Sequence, residues 1–250
     1  TAHIDQTLFE ALVEAAQQKA AHKIAIEDPL GGRLSYRKLI LGAQVLGHRL
    51  EREAPLGEAV GVLLPNSAGV AVTFFALQTI GRVPAMLNFT AGAANLLAAC
   101  TAAKVGVVLT SRAFIEKARL QPVIDKLGER VRILYLEDVR EKITLGDKLR
   151  GIMQGSKPQE VRGPNNPAVI LFTSGSEGLP KGVVLSHRNI LANCAQCLTQ
   201  FAADGEDKVF NVLPVFHSFG LTGGLVMPLV GGIPVYLVAT TGTTDAMGID

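Results

Sequence analysis

Residues 173–182, with the sequence TSGSEGLPKG, contain the groups in this chain best suited to hold an anion. The segment offers three hydroxyl groups, three glycines and one lysine. Glycine lets the backbone approach a ligand closely and adopt positive φ angles. Successive backbone N–H groups in such turns can form an anion-binding concavity. We therefore predict a phosphate-binding loop whose binding residues are Thr173, Ser174, Gly175, Ser176, Gly178 and Lys181.

Two familiar phosphate-binding patterns do not fit this segment. A P-loop needs a lysine followed by serine or threonine at the start of a helix, whereas Lys181 is followed by Gly182 and an apolar run typical of a strand. The dinucleotide-binding pattern G-x-G-x-x-G fails because the glycines lie at 175, 178 and 182. A glycine–serine linker stays open as an alternative, although the apolar runs on both sides favour a loop between strands.

A second group of residues that could do chemistry lies at 213–220, with the sequence LPVFHSFG. His217 lies between Phe216 and Phe219, just after a predicted strand. In open α/β sheets, ligands bind outside the carboxyl ends of the strands. Taken alone, however, His217 is more simply explained as a structural histidine.

The elements that must position these residues follow from the apolar pattern. Short apolar runs such as Val60–Leu64, which ends at Pro65-Asn66, Val83–Leu87 and Val105–Leu109 predict buried strands, and segments with helical periodicity lie between them. Three hydroxyl residues that precede helical segments are predicted as their N-caps: Ser67, Thr90 and Ser186. Apolar strands that alternate with helices predict an α/β fold with mostly parallel sheets flanked by helices. Glycine and proline interrupt residues 155–167, so we predict an N-terminal α/β subdomain over 1–160 and the start of a second one over 161–250.

Composition excludes several classes of protein. The 24 basic and 22 acidic residues give a net charge of +2, which does not favour a nucleic-acid partner. Three cysteines outside any disulfide-like framework favour a reducing cytoplasm. Cys194 and Cys197 fit one face of a predicted helix, and without a second Cys/His pair nearby we predict no metal site.

Five glycines and two prolines interrupt the apolar stretch Gly220–Ala239, which favours helix, turn and strand over a membrane span.

Together, the two motifs resemble those of the acyl-adenylate-forming superfamily, which includes acyl-CoA and acyl-ACP synthetases, luciferases and peptide-synthetase adenylation domains. Residues 173–182 match every specified position of its phosphate-binding signature, S/T-S/T/G-G-S/T-T/S/E-G-x-P-K-G. The sequence PVFHSFG at 214–220 is similar to its aromatic/histidine motif. The continuation GVVLSHRNILAN looks most like the acyl-ACP synthetase part of enzymes that are also 2-acylglycerophosphoethanolamine acyltransferases.

The resemblance implies roles for these residues and a set of partners. The enzyme would use ATP and Mg²⁺ to join a fatty acid to the thiol of CoA or of an acyl carrier protein through an acyl-adenylate. His217 would be the catalytic residue near the α-phosphate or the carboxylate, and Phe216, Phe219, Gly220 and Gly223 would shape the acyl pocket. We expect a cytoplasmic protein, or one at the inner face of the membrane in a longer parent.

The resemblance covers only about the first half of the family's large domain. The motifs that bind adenine, magnesium and ribose do not occur in this sequence, and in relatives they lie downstream. We therefore expect an N-terminal fragment with little activity on its own. Two alternatives stay open: a non-catalytic nucleotide-binding or scaffold module, and an adenylation domain for another carboxylic acid. No acidic residue lies between Phe210 and Val238 to bind a substrate amine, which favours a fatty acid.

Overall fold

The structure is a computed structural model that describes residues 4–19, 21–174, 178–200 and 207–239. Its helices are α1 (Leu8–Lys19), α2 (Tyr36–Leu50), α3 (Ala68–Thr79), α4 (Gly92–Ala102), α5 (Arg112–Lys117), α6 (Gln121–Gly128), α7 (Leu136–Glu141), α8 (Leu145–Gln154), α9 (His187–Gln200), α10 (Ser218–Leu221) and α11 (Met227–Val230), with a π-helical segment (Thr222–Val226) joining the last two. Its strands are β1 (Ile24–Glu27), β2 (Arg33–Ser35), β3 (Ala59–Val62), β4 (Val83–Met86), β5 (Val107–Thr110), β6 (Arg132–Tyr135), β7 (Pro167–Ser174), β8 (Pro180–Ser186), β9 (Val209–Asn211) and β10 (Val235–Leu237).

Two sheets form the framework. In the larger sheet, of order β6-β5-β3-β4-β7-β8, all neighbouring strands are parallel except β7 and β8. In the smaller sheet, of order β2-β1-β10-β9, only β1 and β2 are antiparallel. The predicted α/β fold with mostly parallel sheets is confirmed.

The sheets do not follow the predicted division near residue 160. Strands β7 and β8 extend the sheet built from β3 to β6, with Ile170 opposite Ala85. Strand β10 lies beside β1, with Val235 opposite Ile26. Each sheet therefore takes strands from both sides of the glycine- and proline-rich stretch, because parallel neighbours can be distant in sequence. That residues 1–160 and 161–250 form separate subdomains stays a prediction.

Polar side chains set the starts of several helices. The Oγ atom of Ser67 accepts a hydrogen bond of 3.2 Å from the backbone N–H of Val70, which is an N-cap as predicted from the sequence. A similar cap predicted at Thr90 is wrong. Instead, Oδ1 of Asn88 accepts hydrogen bonds from the N–H and the hydroxyl of Thr90, at 2.9 and 2.7 Å. The carboxamide closes a turn, and α4 begins two residues later.

Buried hydrogen bonds join residues next to β1 and β2 to distant parts of the chain. The hydroxyl of Tyr36, which is 1% exposed, donates to the carbonyl of Leu229 at 2.9 Å. The carboxylate of Asp28 accepts a hydrogen bond from the N–H of Ala68, the first residue of α3, at 2.7 Å. The first bond joins the start of α2, directly after β2, to α11, and the second joins the β1–β2 turn to α3.

The apolar stretch from residue 220 to 239 contains helix, turn and strand, as predicted. Within the described part of the chain, we find no helix whose length and apolar character would let it cross a bilayer.

Candidate active site

The predicted phosphate-binding segment is the hairpin between β7 and β8. The two strands pair antiparallel as far as Ser174, which lies opposite Pro180. The loop is therefore shorter than predicted, residues 175–179, because the pairing continues through 173–174 and 180–182. Proline is tolerated at Pro180 because it is the first residue of an edge strand. Gly175 and Ser176 lie outside the described residues, and only the backbone of Ser174 is described.

Thr173 and Lys181 lie directly opposite each other in the hairpin. Residues opposite one another in an antiparallel pair project from the same face of the sheet. Both side chains are exposed, and no ion pair joins Lys181 to another residue that the structure describes. A hydroxyl donor and a cation thus lie side by side next to the turn of the hairpin, and both can bind an anion.

Gly178 returns the chain from the loop to β8. Its φ of +80° is in the left-handed region, and there is open space where a Cβ would lie. A ligand can therefore come close to the backbone here. Thr173 and Gly178 line a cavity of about 140 Å³ with Asn88 at the end of β4. This space fits part of a ligand, such as a phosphate group, rather than a whole nucleotide, since small-molecule pockets are about 300–1,000 Å³.

His217 lies at the second predicted site, exposed, immediately before α10. Its backbone is extended, with φ −88° and ψ 143°. The imidazole contacts the ring of Phe216, with 4.8 Å between ring centroids. An exposed imidazole at the end of a turn is available to a ligand, as the prediction requires.

Asn66 holds the segment that leads to His217. Its side chain is 1% exposed; Nδ2 donates to the carbonyl of Leu213 at 2.8 Å, and Oδ1 accepts from the N–H of Val215 at 3.0 Å. The sequence marked this asparagine only as the place where the predicted strand from Val60 to Leu64 ends. The one signal available was a Pro-Asn pair at the carboxyl end of a buried strand, where open α/β sheets place functional groups.

Phe216 and Gly220 are both buried beneath the His217 segment. Phe216 is 6% exposed, and its ring packs edge-on against the ring of Phe89 with 5.0 Å between the ring centroids. The ring of Phe89 also packs against that of Phe114, with 5.1 Å between centroids. Gly220 is buried, and a Cβ there would overlap the carbonyl oxygen of Pro214. Both residues therefore support the His217 segment from beneath, and their role in shaping an acyl pocket stays a prediction.

Phe219 and Gly223 line two neighbouring cavities, and their role in an acyl pocket stays a prediction. The larger is about 550 Å³ and lies against β9; the smaller is about 260 Å³ and lies against α9. The side chain of Phe219 is 70% exposed between them. The larger cavity is lined mostly by apolar or small residues, among them Cys197, Leu198, Phe210, Leu213 and Met227.

One short segment contacts both candidate motifs. Asn88 shares the small cavity with Thr173 and Gly178, and the next residue, Phe89, carries the ring that packs on Phe216. The carboxyl end of β4 thus lies between the hairpin and the His217 segment. The structure brings the two predicted sites to the same end of the larger sheet.

Other titratable side chains near the site are structural. His187 is 2% exposed and its Nδ1 accepts a hydrogen bond of 3.2 Å from the N–H of Leu8. Burial, reinforced by the positive charge of Arg162, lowers the pKa of His187 to about 4, so the ring is neutral. Burial raises the pKa of Cys194 to about 12, which leaves an unreactive thiol. Among the residues described, no cluster of three or more His, Cys, Asp or Glu could hold a metal ion.

Comparison with known proteins identifies the family of the chain. The family of AMP-binding enzymes matches residues 12–249. The chain is 28% identical to 4-coumarate–CoA ligase 2 of Oryza sativa subsp. japonica, over 73% of this chain and 34% of that protein. It is 27% identical to the acyl-CoA ligase sidI of Beauveria bassiana, over 93% of this chain and 42% of that protein. The chain thus spans well under half the length of these relatives.

The fold agrees with a solved structure of a related enzyme. A fatty acyl-adenylate ligase from L. pneumophila, in complex with acyl adenylate and pyrophosphate, superposes with a TM-score of 0.76 at 24% identity. The match covers 94% of this chain and 40% of that one. With a family match over almost all of its residues and the fold of the N-terminal domain of adenylate-forming enzymes, the chain belongs to the AMP-binding enzyme family.

Proposed function

We propose that the chain is the N-terminal part of an ATP-dependent acid–thiol ligase that activates a fatty acid as its acyl-adenylate. The observation that carries this proposal is the placement of Thr173 and Lys181 opposite each other, next to the turn of the β7–β8 hairpin. A hydroxyl, an ammonium group and an unobstructed glycine backbone are the donors that a polyphosphate requires. The residues present therefore fit a nucleotide.

The proposed reaction needs electrostatic stabilisation more than acid–base chemistry. A carboxylate oxygen of the acid forms a bond to the α-phosphorus of ATP, and the bond from that phosphorus to the departing pyrophosphate breaks. Negative charge develops on the leaving phosphates, where fixed donors and cations lower the barrier. Lys181 and the hydroxyl of Thr173 would contact these phosphates, with Ser174, Gly175, Ser176 and Gly178 completing the loop. Magnesium supplies further charge neutralisation in such reactions, through ligands that we expect in a downstream part of the parent protein.

The proposal extends to the acid and to the acceptor. The cavity of about 550 Å³ beside Phe219 and Gly223 has a mainly apolar lining, with Asp207 and Lys208 as its charged residues, and this supports a fatty acid. His217 would lie near the α-phosphate or the carboxylate. The acceptor would be the thiol of CoA or of an acyl carrier protein. The narrower likeness to acyl-ACP synthetases joined to an acyltransferase, the cytoplasmic location and the low activity of the isolated chain stay predictions.

The test is ATP–pyrophosphate exchange with a series of fatty acids, in the longest natural protein that contains this chain. Lys181→Ala should reduce exchange about 10- to 100-fold, because hydrogen bonds to charged groups contribute about 1.5–3 kcal/mol. The matched control is Lys126→Ala, at an exposed position on α6, which should leave exchange unchanged.

Two outcomes would contradict the proposal. ATP binding without exchange for any acid would favour the alternative of a non-catalytic nucleotide-binding module. Exchange that is unchanged by Lys181→Ala would show that the hairpin does not hold the phosphates.

A further inference from the structure

Helix α8 presents its apolar side chains to solvent. Leu145, Leu149, Ile152 and Met153 are 77%, 61%, 61% and 86% exposed. Their spacing of four, three and one residues places them on one face of the helix. We call this set the α8 apolar face. Contiguous exposed apolar surface of this kind marks a site of association, whereas single exposed apolar residues are ordinary.

The opposite side of α8 is the one that packs on the protein. Gly151 is buried against α2, where a Cβ would lie 2.6 Å from Cγ2 of Val45. Half-buried Asp147 accepts a hydrogen bond of 2.7 Å from the N–H of Thr144. The helix therefore has the reverse of the usual arrangement in a globular protein, in which the apolar stripe faces the core. Packing against the residues that the structure describes does not explain why these apolar side chains are present.

Basic side chains surround the α8 apolar face. Lys148 and Arg150 lie on opposite sides of it. Successive residues of a helix are rotated by about 100°, so residues two positions apart are separated by about 200° around the helix axis. Lys142 and Lys157 lie just before and just after the helix, and all four are exposed. Residues 142–157 contain these four basic residues and one acid, a net charge of +3, whereas the whole chain carries +2. The single acid is Asp147, whose carboxylate is used as a helix cap.

We propose that α8 docks the protein onto an anionic lipid surface. An apolar face flanked by lysine and arginine is the pattern of helices that lie in the membrane interface. The alkyl stems of Lys148 and Arg150 can pass along the apolar side chains while their charged ends reach lipid phosphates. A second copy of the chain is a poorer occupant, because a two-fold contact would place two clusters of charge +3 against each other. The inference rests on α8 alone and holds whether or not the proposed ligase activity is correct.

The test is flotation of the 250-residue chain with lipid vesicles. One set of vesicles is pure phosphatidylcholine, and the other contains equal parts of phosphatidylcholine and phosphatidylglycerol. We expect binding to the anionic vesicles that weakens as salt is raised. The triple substitution Leu145→Gln, Leu149→Gln and Ile152→Gln should lower the partition coefficient at least about tenfold, since each removes apolar area from the interface. All three side chains are exposed, so the urea midpoint of unfolding should stay close to that of the unchanged chain.

Two further variants make the test specific. Leu30→Gln removes an equally exposed leucine, 66% accessible, from the β1–β2 turn and should leave binding unchanged. The pair Lys148→Gln and Arg150→Gln should weaken binding to anionic vesicles by about fivefold per charge removed. Sedimentation of each variant without lipid reports self-association.

Four results would overturn the proposal. The first two are absence of binding to anionic vesicles and equal binding by the triple variant. The third is self-association that the triple variant abolishes, without vesicle binding, which would assign the face to a second copy. The fourth is binding by this chain but not by the longest natural protein that contains it, which would assign the face to a contact within that protein.

Discussion

The Oδ1 atom of Asn66 accepts a hydrogen bond of 3.0 Å from the N–H of Val215, a residue 149 positions further along the chain. The same carboxamide donates to the carbonyl of Leu213. A single side chain just after β3 therefore holds the backbone on both sides of Pro214, which lies three residues before His217. The position of the candidate catalytic histidine thus depends on the larger sheet.

Replacing Asn66 with alanine should therefore affect both stability and the site. The change leaves the carbonyl of Leu213 and the N–H of Val215 without this partner, and an unsatisfied buried polar group costs about 1–3 kcal/mol. We expect a loss of about 2–4 kcal/mol in the free energy of unfolding, measured by urea denaturation. Asn95→Ala is the matched control, because that side chain makes one exposed hydrogen bond within α4. A loss at Asn66 no larger than at Asn95 would show that the two hydrogen bonds do not hold the segment.

The local elements were accessible from the sequence, because their signals are local. Ser67 and Ser186 were predicted as helix caps, and both hydroxyls accept the expected backbone hydrogen bonds. The prediction at Thr90 failed because the side chain of Asn88 binds that threonine instead. Turn formation by asparagine competes with capping by a nearby hydroxyl, and the sequence alone does not show which one prevails.

The non-local relationships were not accessible. The strand at β1 gives no sign that its neighbour is β10, about 200 residues later. The partners of Asn66 are likewise far away in sequence. The contact between the rings of Phe216 and Phe89 was not accessible either, because it is fixed only by the packing of two distant segments. The periodic pattern of α8 predicts an apolar side without showing that this side faces outward.

Gly220→Ala should be far more damaging than Gly223→Ala. A Cβ at Gly220 would overlap the carbonyl oxygen of Pro214 and lie 2.9 Å from that of Leu213. Both are backbone atoms, so the segment before His217 must move. We expect a loss of about 3 kcal/mol or more in the free energy of unfolding, at the upper end of the range for overpacking.

Gly223 and Gly128 provide the comparison for Gly220. A Cβ at Gly223 would lie 3.3–3.5 Å from the exposed ring of Phe219, which can give way, and one at Gly128 would make an ordinary contact of 3.8 Å with Ile133. Alanine at Gly128 should be neutral or slightly stabilising, because alanine favours helix. Urea midpoints of the three variants give the ranking, and equal midpoints for Gly220→Ala and Gly223→Ala would refute the close approach of α10 to Pro214.

His187 should make the protein less stable as the pH falls below neutrality. Its pKa is about 4 in the folded chain, against 6.5 for an exposed histidine. Between these values the unfolded chain binds a proton that the folded chain does not, so stability is fully present above pH 6.5 and is lost as the pH decreases towards 4. From pH 6.5 down to about pH 5, before most carboxylates titrate, the loss should be about 2 kcal/mol.

The substitution His187→Gln tests this assignment. Glutamine keeps an acceptor that can reach the N–H of Leu8 but does not titrate, so its stability should change little between pH 6.5 and about 5. His22 is exposed and serves as the control, since His22→Gln should keep the pH dependence of the unchanged chain. The measurement is the free energy of unfolding from urea titrations across this range. A slope that survives His187→Gln would place its origin in another group.

Thr173→Val tests the hydroxyl half of the hairpin pair. Valine keeps the β-branched shape that suits a strand and removes only the hydroxyl donor. If that hydroxyl contacts a phosphate, ATP affinity measured by calorimetry should fall about two- to tenfold, the value of one hydrogen bond. Stability should not change, because the side chain is exposed. Thr173→Ser, which keeps the hydroxyl, should retain the affinity.

The double variant Thr173→Val, Lys181→Ala shows whether the side chains of Thr173 and Lys181 contact the same ligand. They lie opposite each other and project from one face of the sheet. Groups that contact one phosphate together should give a combined loss different from the sum of the single losses, by about 0.5 kcal/mol or more. Additive losses would mean that Thr173 and Lys181 contact separate parts of the nucleotide, and no loss in either single variant would exclude the hairpin as its binding site.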